Sequence, residues 1–257
     1  MRGSGDHRQQ AKESSYPCIV NALKIIAIIT ARGNSKRISG KNILELDGHP
    51  LISWSIASAV KSDLIENVFV STDSNEIKEI SKKYNCGVLD RPDSISGDHA
   101  TTDEVLEYIL CNQLKKYNPT HFVVIQPTSP LREEGFLDAS IRIFLNTENY
   151  NKGIEVIKFN ANFARIKNDE LLFSDIKRTQ DLEDFFYPSG RFFIYDLDSI
   201  FKKDASIKIL PILGPHYQEN INVDDYEDLK IMKMIYEAKK SDFLYLKEYL
   251  DNMRSSL

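Results

Sequence analysis

A short segment of the chain, residues 31–42 (ARGNSKRISGKN), concentrates basic side chains and glycines. The spacing of three of these basic residues would allow them to surround one anion, and glycine lets the backbone approach a ligand closely. Fixed cations and backbone dipoles of this kind suit the β- and γ-phosphates of a nucleoside triphosphate. The alternative is a solvated basic loop, since the spacing matches neither a P-loop nor GxGxxG. The candidate phosphate-binding residues are Arg32, Gly33, Asn34, Ser35, Lys36 and Lys41.

Two further segments carry polar side chains that could contribute to chemistry. Residues 126–132 (QPTSPLR) combine prolines with small polar side chains, which predicts a rigid, hydroxyl-rich corner, although a plain turn has the same composition. Residues 221–229 (INVDDYEDL) are typical of a short apolar strand that ends in acidic residues at a helix start. Asp224 could bind Mg²⁺, which uses one or two carboxylates together with substrate phosphates, or it could simply cap the helix.

Asn222 precedes Asp224 by two residues, so both side chains would point to one face of this predicted strand. The carbonyl oxygen of an asparagine can bind a hard cation, but it adds no negative charge. We therefore predict a weak Mg²⁺ site at Asp224 and Asn222, with Asp225 pointing elsewhere.

The elements that must position these segments alternate between strands and helices. Residues 24–30 (KIIAIIT) form a β-branched run that is typical of a buried parallel strand. The alternation that follows predicts an α/β fold with a doubly wound, mostly parallel sheet. Ligands bind such sheets beyond the carboxyl ends of the strands, here the loops after Thr30, Ser71 and Gln126. Before residue 150 we predict strands at 24–30, 67–71, 87–89 and 121–126, and helices at 50–61, 73–84, 101–117 and 133–146.

The pattern is looser after residue 150. The segment from about 160 to 190 is polar, and no internal repeat is visible. Two earlier helices have capping-box starts, at Asp73 with Glu76 and at Thr101 with Glu104. The later elements that we predict are strands at 153–159, 191–195 and 207–213, and one helix at 226–250.

Length and composition limit the function further. A chain of 257 residues with net charge −5 is large enough for one sizeable core and does not favour a nucleic-acid partner. Three widely spaced cysteines suggest neither a disulfide framework nor a metal site, which fits the cytoplasm.

No apolar run reaches the length of a membrane span. Residues 1–23 are interpreted as a disordered leader or an artificial addition, and residues 24–257 as a single domain.

Four motifs, in this order and rough spacing, resemble the cytidylyltransferase family of CMP-sialic acid synthetases: ARGNSKRISGKN, RPDSISGDHATT, QPTSPLR and INVDDYEDL. Close relatives handle legionaminic, pseudaminic and ketodeoxyoctonic acids, and the resemblance covers roughly residues 24–238. It implies a Rossmann-like nucleotidyltransferase fold that transfers CMP from CTP to an acidic 2-keto sugar with Mg²⁺. It also implies a homodimer in which an extension, at about 150–190, covers the partner's sugar site.

The resemblance assigns roles to individual residues of this sequence. The catalytic group is Arg32, Lys36, Lys41 and Asp224. For the nucleotide, the resemblance adds Asn42, Arg91, Thr102 and Gln126 to the phosphate-binding residues. The residues that it places at the sugar are Gln126, Thr128, Ser129, Arg165, Arg178 and Gln180. Arg165 or Arg178 could supply the cation that the sugar carboxylate needs.

This sequence departs from the family pattern at several positions. Ser189 stands where the family usually has Asn, Phe193 where it has Tyr, and Asn222 where it has Asp. The first two changes leave the identity of the acid open, although QPTSPLR favours the sialic or legionaminic branch. Asn222 is the feature that favours a non-catalytic nucleotide-binding relative. A third possibility is a nucleotidyltransferase for another acceptor, such as a phosphorylated alcohol.

Overall fold

The structure is a computed structural model, and it describes residues 23–35, 37–97, 100–173, 176–201, 207–214 and 221–255. Its strands are β1 (Ile25–Thr30), β2 (Glu45–Leu46), β3 (His49–Pro50), β4 (Ile65–Thr72), β5 (Gly87–Asp90), β6 (His121–Ile125), β7 (Lys152–Phe159), β8 (Ala164–Lys167), β9 (Glu170–Phe173), β10 (Phe185–Asp196) and β11 (Ile209–Leu213). Its α-helices are α1 (Leu51–Val60), α2 (Asn75–Lys83), α3 (Thr102–Ile109), α4 (Phe136–Leu145), α5 (Leu197–Phe201), α6 (Tyr226–Ala238) and α7 (Leu244–Ser255).

A seven-stranded sheet forms the centre of the fold, in the order β11-β7-β10-β6-β1-β4-β5. The neighbours β6, β1, β4 and β5 are parallel, as are β7 and β11, and β10 alone runs antiparallel to both of its neighbours. The predicted doubly wound, mostly parallel sheet is therefore confirmed. The carboxyl ends of β1, β4, β5 and β6 meet at one edge, where a ligand site is expected.

Alternate residues of β1 face two separate layers of the core. Ile25, Ala27 and Ile29 pack toward α1, α4, α6 and α7, whereas Ile26 and Ile28 pack toward α3 and α5. All five side chains are buried. A strand covered on both faces needs an apolar side chain at every position, which is why the β-branched run predicted a central strand.

The helix predicted at 226–250 is wrong in one respect, because the structure divides it into α6 and α7. The chain turns at Lys240–Phe243, and the turn places Phe243 in the core beside Tyr236. The helix predicted to reach Tyr117 is confirmed in extent, because α3 continues through a wider, π-helical turn at Leu110–Leu114 and a 3-10 turn at Lys115–Tyr117, and it ends where Asn118 adopts a left-handed conformation.

Three local predictions at element ends have different outcomes. The capping box of Thr101 and Glu104 is confirmed at the start of α3. The predicted cap at Asp73 is wrong, because the side chain of Ser74 accepts the hydrogen bond from Ile77 N at 3.4 Å. The predicted strand at Ile221–Val223 is wrong as well, since these residues form no ladder in the structure.

An arm leaves the sheet between β7 and β10. Its centre is the antiparallel hairpin of β8 and β9, all of whose residues are exposed. Ile166 and Leu171 leave 78% and 58% of their surface in solvent. The segment at about 160–190, which the sequence analysis describes as polar, is therefore partly a hairpin with an apolar surface.

Candidate active site

A cavity of about 500 Å³ opens at the carboxyl edge of the sheet, beyond β1, β5 and β6. Thr30 ends β1, Arg91 follows β5 and Gln126 follows β6, so the topology brings three separate loops to one place. Among the predicted site residues, the cavity is lined by Arg32, Ser35, Lys41, Asn42, Arg91, Thr102, Gln126, Thr128 and Asp224.

The loop after β1 forms one wall and is held by its own polar groups. Asn42 is buried and donates from Nδ2 to the backbone oxygen of Arg32 at 3.0 Å. Gly33 and Asn34 do not line the cavity; the N–H of Gly33 instead donates to Asp73 Oδ1 at 2.7 Å. Lys36 lies outside the residues that the structure describes.

Asp73 is a site residue that the sequence analysis missed, because its carboxylate was interpreted as a helix cap. It follows β4 directly and anchors the loop after β1 through the N–H of Gly33. A side chain at Gly33 would have no room, since an added Cβ would lie 2.8 Å from Ser74 Cβ. This glycine is thus needed for a close contact between two loops.

Asp224 faces the basic loop across the cavity. Lys41 Nζ lies 2.8 Å from its Oδ1, and Arg37 Nη1 lies 2.9 Å from its Oδ2. The hydrogen bond from Lys41 is the main cause that holds the pKa of Asp224 below its usual value. Arg37 was not selected from the sequence, although it directly follows Lys36 in the same basic segment and lines the cavity.

The opposite wall contains Arg91 and the start of α3. Arg91 donates from Nε to the backbone oxygen of Ile95 at 2.7 Å, which fixes its guanidinium. Burial lowers the pKa of Arg91, and the nearby Asp73 counteracts that effect. Thr101 and Thr102 bring the positive end of the helix dipole to the cavity, where it adds to the attraction for an anion.

The loop after β6 forms the floor. Gln126 and Thr128 line the cavity, whereas Ser129 is buried away from it. Arg132 lies beneath the loop, fully buried, and burial lowers its pKa to about 9, so it stays charged at neutral pH. Its guanidinium donates to the backbone oxygens of Gln126 and Arg191 at 3.3 and 2.6 Å.

The segment around Asn222 joins this floor, although it is not a strand. The N–H of Val223 donates to the backbone oxygen of Thr128 at 2.8 Å. Asn222 Oδ1 is buried and has no hydrogen-bond partner among the described residues, and Asn222 does not line the cavity. Asp225 caps α6 in a reciprocal capping box with Asp228, which leaves Asp224 as the carboxylate at the cavity.

Three predicted sugar-binding residues lie elsewhere in the single chain. Arg165 is on β8, and Arg178 and Gln180 follow β9; none of them lines the cavity. Arg178 Nε contacts Asp181 Oδ2 at 2.6 Å on the exposed arm. Their contact with a sugar stays a prediction.

The charges at the cavity favour a polyanion. Within the described residues, four cationic side chains and a single carboxylate line it, and no group of three or more His, Cys, Asp or Glu side chains could hold a metal ion alone. A divalent cation would therefore have to share Asp224 with phosphate oxygens of a ligand, as Mg²⁺ commonly does. Of the two predicted metal ligands, Asp224 lines the cavity and Asn222 does not.

The mostly parallel sheet, with a cationic cavity at its carboxyl edge, defines an α/β nucleotidyltransferase fold. The fold is similar to that of a CMP:2-keto-3-deoxy-manno-octonic acid synthetase complexed with CTP. The TM-score is 0.62 at 14% identity, with 84% of this chain and 99% of the other covered. The chain belongs to the cytidylyltransferase family, whose profile matches residues 26–255. The sequence resemblance and the enzyme class are thereby confirmed.

Relatives within this family cover most of the chain. It is 30% identical over 237 residues to the pseudaminic acid cytidylyltransferase of Campylobacter jejuni, covering 84% of this chain and 97% of the relative. It is 26% identical over 253 residues to the N-acylneuraminate cytidylyltransferase of Escherichia coli O18:K1:H7. The match covers 89% of this chain and 56% of that relative, so the chain spans about half of its length.

Proposed function

We propose that the protein transfers CMP from CTP to an acidic 2-keto sugar of the nonulosonic acid type, giving a CMP-sugar and pyrophosphate. The observation that carries this proposal is the cavity in which Arg32, Arg37, Lys41 and Arg91 surround a space that also contains Asp224. Such a charge arrangement suits a triphosphate. The names of the relatives, which act on N-acylneuraminate, pseudaminic and legionaminic acids, support the choice of acceptor.

The reaction is an in-line attack by the anomeric hydroxyl of the sugar on the α-phosphorus of CTP. A new P–O bond forms, the bond to the β-phosphate oxygen breaks, the hydroxyl proton is lost to solvent, and pyrophosphate leaves. The protein contributes position and charge rather than a covalent step. Arg32 and Lys41 neutralise the phosphates, and the first turn of α3 adds its dipole beside Thr102.

The cofactor of this proposal is Mg²⁺, held by Asp224, with Asn222 as a neutral oxygen donor. Mg²⁺ held there would supply Lewis-acid chemistry: it would neutralise negative charge on the phosphates and lower the pKa of the attacking hydroxyl. The support is chemical: one cavity carboxylate and one buried, unpartnered carbonyl oxygen form a set that needs substrate oxygens to be complete.

A homodimer belongs to the same proposal. The exposed arm carries apolar side chains on β8 and β9 next to Arg165, and a single chain leaves them in water. Packed against a second copy, the arm could bring Arg165 or Arg178 to the partner's sugar carboxylate. We place the enzyme in the cytoplasm, which agrees with the free thiols of Cys86 and Cys111. No helix of the described residues has both the length and the apolarity required to cross a membrane.

The function is tested by incubating the purified protein with CTP, Mg²⁺ and one acid at a time. The acids are an N-acylneuraminic, a pseudaminic, an N,N'-diacetyllegionaminic and a 2-keto-3-deoxy-octonic acid, and mass spectrometry detects the CMP-sugar. We expect a product with at least one nonulosonic acid. Turnover only with a phosphorylated alcohol would favour the other acceptor class. CTP binding without any pyrophosphate release would favour the non-catalytic alternative.

A further inference from the structure

A buried ion pair lies behind the floor of the cavity, between β7 and β10. The guanidinium of Arg191 donates from Nε to both carboxylate oxygens of Glu155 at 3.0 Å, and its Nη2 also contacts Glu155. Glu155 is fully buried and Arg191 is 2% exposed. Nη1 of Arg191 reaches further, to the backbone oxygen of Leu131 at 3.2 Å and to Glu133 at 3.1 Å.

The same guanidinium therefore joins the sheet to the loop after β6. The backbone oxygen of Arg191 completes this connection, because it accepts from Gln126 N at 3.1 Å and from Arg132 Nη2 at 2.6 Å. Arg132 Nη1 in turn contacts Ser55 Oγ on α1 at 3.2 Å. The loop that carries Gln126 and Thr128 is thus held from below by two buried cations and one buried carboxylate.

The backbone next to Arg191 bulges out of the sheet. The pairing of β10 with β7 is irregular between Pro188 and Phe193, and Gly190 has a φ of +76°. An added Cβ on Gly190 would lie 3.4 Å from Gln126 Oε1 and 3.7 Å from Asn222 Nδ2. The backbone of the bulge is consequently the surface against which the side chains of Gln126 and Asn222 rest.

Burying this pair is expensive, and a sheet does not need it for stability. Taking two charges out of water carries a large desolvation penalty, which their attraction offsets only with good geometry. Replacing a buried ion pair by apolar residues of similar volume is often neutral for stability. A role in holding the bulge in one conformation accounts for a pair at this position, next to the cavity.

We infer that Arg191, held by Glu155, is a positioning residue that fixes the bulge at Gly190 and thereby orients Gln126 in the floor of the cavity, at its acceptor side. The inference rests on the proposed function, because it assigns the acceptor half of that site. The groups that the proposal assigns to the phosphates of CTP lie on other elements, the loop after β1 and the start of α3. Loss of the pair should therefore affect the two substrates unequally.

The test is the paired variant Arg191→Met with Glu155→Leu, which removes the two charges of this ion pair together, so that neither is left without the other. We expect an unchanged unfolding transition, a KM for CTP within about twofold of wild type, and a kcat/KM for the acidic sugar lowered about tenfold or more. The control is Lys82→Met with Glu79→Leu, an exposed ion pair on α2 that lies outside the cavity and should leave all constants unchanged.

Arg191→Lys is the second variant, in case the paired one does not fold. It keeps the buried positive charge but loses the planar fork that reaches Glu155, Glu133 and Leu131 at once. We expect a smaller loss in kcat/KM for the sugar, again with the KM for CTP unchanged. Wild-type kcat/KM for the sugar in both folded variants, or equal losses of kcat/KM for CTP and for the sugar, would overturn the positioning role of Arg191. The proposed function would still stand. A wild-type protein that is inactive on every acid would overturn the proposed function, and the acceptor role with it.

Discussion

Asp224 has two cationic partners, and both come from the loop that is predicted to bind phosphate. The pair with Arg37 is exposed on both sides, with 70% and 43% of the two side chains in solvent. Exposed pairs of this kind contribute about 0–1 kcal/mol, so they exchange partners readily. An incoming triphosphate could therefore attract Arg37 and Lys41 and leave Asp224 available for a divalent cation.

The basic loop gives the first prediction. Arg32→Ala should lower kcat/KM for CTP about tenfold or more, which corresponds to about 1.4 kcal/mol of transition-state stabilisation. The physical reason is the loss of one fixed cation that lines the cavity. Lys36→Ala carries the same expectation from the sequence. The matched control is Lys61→Ala, an exposed lysine at the end of α1. Wild-type kinetics for CTP in both loop variants would reject the phosphate-binding role.

Two neighbouring carboxylates give the second prediction, because one faces the cavity and the other caps a helix. Asp224→Ala should abolish turnover, whereas Asp225→Ala should keep it and cost about 1 kcal/mol of stability through the lost cap. Asn222→Asp should keep activity and lower the Mg²⁺ concentration required. Kinetics titrated with Mg²⁺, together with chemical denaturation, distinguish the three proteins. Full activity of Asp224→Ala, or activity in excess chelator, would exclude the metal role.

The sequence could predict which loops form the site, because the carboxyl ends of parallel strands converge. Arg32 and Gln126 follow β1 and β6 and meet at the cavity as expected, whereas the loop after Ser71 does not line it and Arg91, after β5, contributes there instead. Contacts that depend on geometry between loops could not be predicted. The bond from Gly33 to Asp73 and the pairing of Arg37 with Asp224 join residues whose separation in sequence carries no signal.

At the scale of elements, the hairpin of β8 and β9 gives the third prediction. Ile166→Asp with Leu171→Asp should convert a dimer into a monomer, because charges on an apolar contact surface cannot be solvated once buried. Light scattering at micromolar concentration measures the mass. The control is Ile143→Asp, an exposed apolar residue of α4, 50% of which lies in solvent. A wild-type protein that is already monomeric would contradict the proposed homodimer.

Periodicity predicted the existence of the central elements well and their ends less well. β10 begins at Phe185, earlier than the predicted 191, because its first half pairs with β7 before the bulge at Gly190. No alternation of apolar and polar residues marks that half. The sequence does not mark the break between α6 and α7 either, because neither Gly nor Pro occurs there. The burial of Phe243 determines the turn.

At the scale of the whole molecule, His49 of β3 connects the segment before α1 with the last helix. It is fully buried, with Nδ1 2.9 Å from the Tyr84 hydroxyl and Nε2 2.9 Å from Asp251 Oδ1. Burial lowers the pKa of His49 below its ordinary value of 6.5. Lys247 and Arg254 of α7 also disfavour the charged imidazole, while Asp251 favours it.

The fourth prediction follows from the sign of that shift. The unfolded chain binds the proton more readily than the folded protein. The contribution of neutral His49 to the free energy of unfolding is therefore complete above about pH 6.5 and is lost as the pH decreases. One proton limits the slope to about 1.4 kcal/mol per pH unit. His49→Gln should flatten this part of the curve. Denaturant titrations at several pH values check it, and a wild-type slope in the variant would reject it. Asp251, whose pKa lies below 3.8, titrates in a separate, more acidic range.

The wide separation in sequence between partners in this fold has a consequence for its synthesis. Lys41 and Asp224 are 183 residues apart, and His49 and Asp251 are 202 apart. The inner strand β6 acquires its second neighbour only when β10 is available. A growing chain on the ribosome would therefore expose the apolar edge of β6 while the intervening residues are being made. Unpaired edges of this kind invite association with other chains, so we expect nascent copies to depend on chaperones until β10 is inserted.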